Sequence, residues 1–225
     1  MKGFRNWLVL FMLFSILACG RKKPVELPRQ EMAERLLREA DSLMRADSAF
    51  WLHPVNREEP VMCRYDSLVR QKLDDALLMC PSLKKAYLTK YVYLIRSWKL
   101  DEMLQLLRTM GANVPDSMAA DMWNLKAMLE DRAGWHDTAR HDFLKADSIY
   151  GMQLQEAMET KADTTQYTVL RLMKSLNLSL LYNDFTLLRY ELNLYNGVYE
   201  TLPEGIEMLK DCRSKEQYYR YVFGE

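Results

Sequence analysis

From Gln30 onward, apolar residues return every three or four positions. In the first such run Met32, Ala33, Leu36, Leu37, Ala40, Leu43 and Met44 fall on one side, and Glu34, Arg35, Arg38, Glu39 and Asp41 on the other. That is the period of a helix with one face against a core. Pro54 and Pro60 interrupt the pattern across residues 53–60. A second helix is expected over 63–79, burying Leu68, Val69, Leu73, Ala76 and Leu77 and stopped by Pro81. Ser82 is the expected N-cap of a third, which reaches Ser97 and carries Tyr87, Tyr91, Val92, Leu94 and Ile95. A fourth covers 99–109 and ends at Gly111. After a turn at Asn113–Asp116, helices are expected over 117–132, 136–158 and 165–182. Another runs from a cap at Asp184 to Tyr195, and a short one at 204–212 precedes an aromatic tail. No stretch alternates with period two, so the expected class is all-α without a sheet.

The first eighteen residues follow a different rule. Lys2 and Arg5 precede Trp7–Ala18, which is apolar throughout except for Ser15. A short basic head and an apolar run of this length match a secretory signal, and the run falls short of the ~20 apolar residues that span a bilayer. The run ends Ile16-Leu17-Ala18-Cys19-Gly20, which resembles the lipobox of bacterial lipoproteins. The resemblance implies cleavage before Cys19, acylation of that cysteine and anchoring in the cell envelope. With Gly20 rather than Asp after the cysteine, it also implies sorting to the outer membrane. Residues 20–30, with two prolines and four cations, read as a flexible tether. The expected organisation is a signal peptide over 1–18, a lipidated cysteine and tether over 19–29, and a single helical domain over 30–225.

Composition narrows the function. Thirty-one Lys and Arg balance 31 Asp and Glu, leaving no excess cation for phosphate neutralisation, so a nucleic-acid partner is not expected. Eight Gly and 7 Pro in 225 residues suit helices joined by short turns, and the 15 Met suit helical interiors.

Such a chain invites a search for internal repeats. Within 121–151, Trp123 is followed by Ala127, Gly134, Ala139, Phe143 and Ala146 at spacings that let two helices meet over small side chains. The window resembles a tetratricopeptide repeat, a helix pair of ~34 residues. In that resemblance Trp123 and Phe143 are the aromatic positions, Gly134 the turn, and Ala127, Ala139 and Ala146 the small contact positions. Lys126 and Glu130 depart from it, standing where the family prefers Leu and an aromatic. A weaker preceding unit closes at Ala76 and Pro81 and reopens at Tyr87, 36 residues before Trp123. The resemblance implies antiparallel helix pairs stacked as a short right-handed solenoid whose first helices line a concave groove. Carried over position by position, that groove holds Lys85, Leu88, Val92, Ile95 and Arg96 in one unit. In the next it holds Asp121, Asn124, Met128, Asp131 and Arg132. The implied activity is binding of a protein or peptide partner, without catalysis.

Candidate chemistry is sparse. His136 and His141 are five apart, on different helix faces, and no metal-binding spacing is present. Neither a phosphate-binding glycine loop nor a nucleophile elbow occurs. Adjacent pairs such as Asp74-Asp75 and Glu58-Glu59 diverge on a helix and cannot face one another as a catalytic dyad. No enzyme, cofactor or metal is therefore expected. Beyond Cys19, the thiols Cys63, Cys80 and Cys212 are read as buried free cysteines; Cys63–Cys212 and Cys80–Cys212 remain open as disulfides. Asp-Ser or Asp-Thr followed by a further residue recurs, as in Asp47-Ser48-Ala49 and Asp116-Ser117-Met118. It resembles an O-glycosylation acceptor sequence known in one Gram-negative phylum, which makes Ser48 and Ser117 candidates. The tail aromatics Tyr190, Tyr195, Tyr199, Tyr218, Tyr219, Tyr221 and Phe223 are expected to cover the end of the stack. An exposed row of them would instead fit a glycan.

Overall fold

The computed structural model describes residues 28–52, 60–113, 118–194 and 209–224. Among these it is all-helical, with no strand. The α-helices are α1 (Arg29–Ala46), α2 (Ser48–Leu52), α3 (Asp66–Met79), α4 (Lys84–Arg96), α5 (Leu100–Met110), α6 (Ala119–Arg132), α7 (His136–Glu159), α8 (Thr164–Tyr182), α9 (Thr186–Leu194) and α10 (Lys215–Phe223).

The first stripe behaves as its period requires. Ala33, Leu37, Ala40 and Met44 are buried, while Arg35–Glu39 and Arg45–Asp41 pair along the wet side at 2.9 and 2.8 Å. One boundary and one core position differ from expectation. Ser82 is exposed and caps nothing: α4 begins at Lys84, and Leu83 stands at its cap without a side-chain bond. Leu68, expected in the core, is 42% exposed. The short α2 has no periodic signal. It is started by Asp47, whose buried carboxylate accepts the backbone N–H of Phe50 at 3.3 Å and of Arg64 at 2.6 Å.

Turns are tight where the chain reverses. Gly134, at φ +81°, sits between α6 and α7, a conformation that costs glycine little. Asn183, at φ +53°, closes α8 in the same left-handed region, which asparagine tolerates. Most helices pack on their neighbour in sequence (α3 on α4, α5 on α6, α7 on α8), and α3, rather than the short α2, is the close partner of α1. Contacts one step further join α1 to α4 and α6 to α8. One apolar cluster runs from Ala33 to Phe223.

The α6–α7 pair is held closely. Ala127, Ala139 and Ala146 are fully buried, Phe143 is buried beside them, and Trp123 is half-buried. Lys126 and Glu130 are buried together, one helical turn apart, at 3.1 Å. The Lys126 ammonium also meets Asp142 of α7, and Arg108 of α5 reaches Glu130 at 3.1 Å. Two positions that looked like lapses in an apolar pattern are thus the two halves of one buried ion network.

Candidate functional site

The positions assigned to a concave groove are largely taken by the chain itself. Arg96 donates to the backbone carbonyls of Phe50, at 3.0 Å, and Trp51, and its guanidinium lies 5.6 and 5.3 Å from the two rings. It fastens α2 to α4. Asn124 is buried and donates to Asn177 Oδ1 of α8 at 2.8 Å, and Asn177 donates onward to the Phe143 carbonyl at 3.0 Å. Met128 is buried. Leu88 and Ile95 pack against the core, and Val92 is half-buried. Asp121 accepts the Tyr150 hydroxyl at 2.6 Å. Burial, aided by the Asp121 charge, pushes the Tyr91 phenol up to about 12.

At the far end of α6, Asp131 accepts from Tyr219 and pairs with Lys215, each at 2.9 Å, and also bonds His136 at 2.9 Å. Arg132 lies 5.1 Å from the Phe223 ring. Of the proposed groove residues, Lys85 and Arg132 remain exposed, and Arg132 stacks on the chain's own tail. The carry-over is corrected for Arg96, Asn124 and Met128, whose atoms are used inside the fold.

The open feature lies elsewhere, among the second half of α7, α8 and α9. A cleft of about 560 Å³ is walled by Leu154, Met158, Tyr167, Leu178 and Leu187. Polar groups at its rim are neutralised locally: Arg171 pairs with Glu191, and Lys174 with Asp147. Gly151 gives the cleft part of its depth, since a methyl group there would lie 3.8 Å from the Lys174 ammonium. Beside it, Leu187, Tyr190 and Leu194 are 44, 58 and 54% exposed and share one face of α9 at i, i+3, i+7 spacing. Met158 across the cleft is 64% exposed. A shallower hollow of about 440 Å³ between α1 and α3 carries Arg35, Arg38, Glu39 and Lys72. There the bond from Lys72, then that from Arg35, holds the Glu39 carboxyl down at about 2.

The remaining candidates are scattered. His136 and His141 each face a carboxylate on the surface, Asp131 and Asp142 respectively. Among the described residues no three metal-ligating side chains converge. Cys63, Cys80 and Cys212 are free, and burial raises the thiol pKa of Cys63 and of Cys212. Ser48 is exposed at the start of α2. Cys19, Ser117, Tyr195 and Tyr199 lie outside the described residues. The tail aromatics that are described do not form a wet row: Tyr218 and Phe223 are buried and Tyr219 is bonded to Asp131.

No protein-family model matches this chain, no curated protein is significantly similar to it, and no solved structure matches it. Reasoning from sequence missed the cleft because its residues carry no motif. The one trace is on α9, where Leu187, Tyr190 and Leu194 follow the helical period on the face opposite Leu188 and Leu192, which are the residues that reach the core.

Proposed function

We propose that this chain is a non-catalytic interaction module of the bacterial envelope, tethered through acylated Cys19, with the α7–α8–α9 cleft as its partner-binding surface. The cleft carries the reading. Its apolar walls are wet, and its two cations, Arg171 and Lys174, are each paired with a carboxylate, so the surface suits an apolar segment of a partner, with Glu159 as the one rim charge that no cation meets among the described residues. Its volume lies within the ~300–1,000 Å³ typical of ligand sites, room for two or three large side chains. A partner helix or extended peptide inserting such side chains fits best. A repeat-like stacking of pairs is part of the proposal. It is supported by the buried Ala127, Ala139 and Ala146 and by the α6–α8 contact between alternate helices. The competing reading, a glycan on terminal aromatics, is left with the exposed Tyr190 and Tyr221, since Tyr218 and Phe223 are buried.

The test has two arms. A photo-crosslinking residue placed at Leu187 in the native envelope should trap a discrete protein partner, and one placed at the still more exposed Leu78 on α3 should not. Leu187→Asp with Met158→Asp should abolish partner recovery with the circular dichroism unchanged. Equal trapping at both positions, or full recovery with the double variant, removes the cleft from the proposal. The tether is tested separately by incorporation of a labelled palmitate analogue, which Cys19→Ser should abolish.

A further inference from the structure

Among the described residues, the C-terminal helix is capped at both ends. It carries its own caps: Ser214 Oγ accepts the Gln217 N–H at 3.2 Å, and Gln217 Oε1 accepts the Arg213 N–H at 2.7 Å. Gly224 closes its other end at φ +80°. Ser214 and Gln217 mark the helix start locally, and Asn183 Oδ1 takes up the Lys215 N–H beside them. Nine residues are nevertheless too few to be helical alone in water, where ~12–15 are marginal. α10 is therefore a preformed shape that needs a seat.

The seat is compact and comes from two short stretches. Asp131 and Arg132 end α6, and Asn183 and Phe185 make the α8–α9 corner. Asp131 receives the Lys215 ammonium and the Tyr219 hydroxyl, Asn183 Oδ1 accepts the Lys215 N–H at 2.6 Å, and Phe185 packs on Tyr218 with ring centroids 6.5 Å apart. Phe223 lies by Arg132, and Tyr219 bridges Tyr218 and Phe223 at 6.2 and 5.6 Å. The recognition code is a cation, aromatics three and four residues on, and an aromatic at the eighth. This is how a groove reads a helix presented by another molecule.

We propose that this seat is a recognition surface for a cationic, aromatic-faced helix, and that α10 is its occupant in cis. A partner helix of the pattern Lys-x-x-aromatic-aromatic-x-x-x-Phe binds there by displacing α10. The site is distinct from the cleft, and neither depends on the other.

Two measurements on the full chain decide it. Native-state hydrogen exchange needs no variant. If α10 is a displaceable ligand, amides of 216–223 open at least about tenfold more often than those of α6 and α8, as a separate cooperative unit. If they share the protection of α6, α10 is inseparable core and the proposal falls. The second uses a labelled peptide of residues 213–224. Tyr218→Ala with Phe223→Ala empties the seat while leaving its residues intact. That chain should bind the peptide at least about tenfold more tightly than the wild type, and adding Asp131→Asn should abolish binding, in line with the loss of a charged hydrogen-bonded anchor. A folded double variant that ignores the peptide, or binds a scrambled one equally well, overturns the proposal.

Discussion

The two flanks of α8 reverse the usual placement of polar and apolar groups. Towards α6 and α7 the helix buries an amide: Asn177 links Asn124 to the Phe143 carbonyl. Towards the cleft it leaves Leu178 lining a hollow with Leu154 and Leu187, under ion pairs at the rim. A buried amide with both bonds made fixes the register of two helices, because any slip strands it. A wet apolar wall contributes nothing to register and exacts a solvation cost that only a partner relieves. One flank specifies the fold and the other is held in reserve, and the variants that follow are ordered by how hard they strain that contrast.

The largest effect is expected in the sealed half. Lys126→Met leaves Asp142 without its lysine and Glu130 with Arg108 alone, both carboxylates almost without solvent access. An uncompensated buried charge costs about 3–5 kcal/mol, which a urea titration resolves as a lower midpoint. Replacing Lys126, Glu130 and Asp142 together with apolar residues should recover most of that loss, since well-packed substitutes for buried ion networks are often neutral or stabilising by ~1–4 kcal/mol. A triple variant as unstable as the single one would show that the network is needed for packing and not merely tolerated.

Next comes Asn177→Ala, which orphans the buried Asn124 amide N–H. Leaving buried groups unpaired costs roughly 1–3 kcal/mol. A change under half of that, read from the same titration, would mean that water enters this flank and that the contrast is weaker than drawn. On the other flank, Leu187→Ser should shift stability by no more than about 0.5 kcal/mol, as substitutions on a wet surface do. If it destabilises by as much as Asn177→Ala, the cleft wall belongs to the core.

The helices were legible because the apolar period is a local property: the stripe of α1 needed only Ala33, Leu37, Ala40 and Met44 in their places. What pairs with what was not. Lys126 and Glu130 resembled errors in a repeat until Asp142, sixteen residues away, supplied the missing partner. Asn124 read as a groove residue because position within a helix does not reveal that Asn177, 53 residues on, will face it. The Ser214–Gln217 capping pair is visible in the chain as Ser-x-x-Gln, but that pattern marks only a helix start and carries no trace of the Asp131 and Asn183 contacts on which α10 rests. An open cleft has no sequence signature at all, since it is defined by what fails to pack.

The smallest effect should come from acid, and it should be confined to the α10 seat. Burial works against an ionised Asp131, but hydrogen bonds from His136, Lys215 and Tyr219 outweigh it and hold the carboxyl below its ordinary value. A carboxylate depressed in the folded state adds stability that is complete above its unfolded pKa of ~3.9 and is lost as pH falls through the lower, folded value. Between pH 7 and about 4.5 the attachment of α10 should therefore be constant, and below about 4 it should weaken. Backbone amide shifts and exchange rates in Lys215–Phe223, followed against those of α6, report this directly. With Asp131→Asn the acid-dependent component in α10 should vanish while the acid response of the rest of the molecule persists. If α10 and α6 loosen together at the same pH in both proteins, Asp131 is not the anchor, and the sealed and detachable parts of the molecule are one.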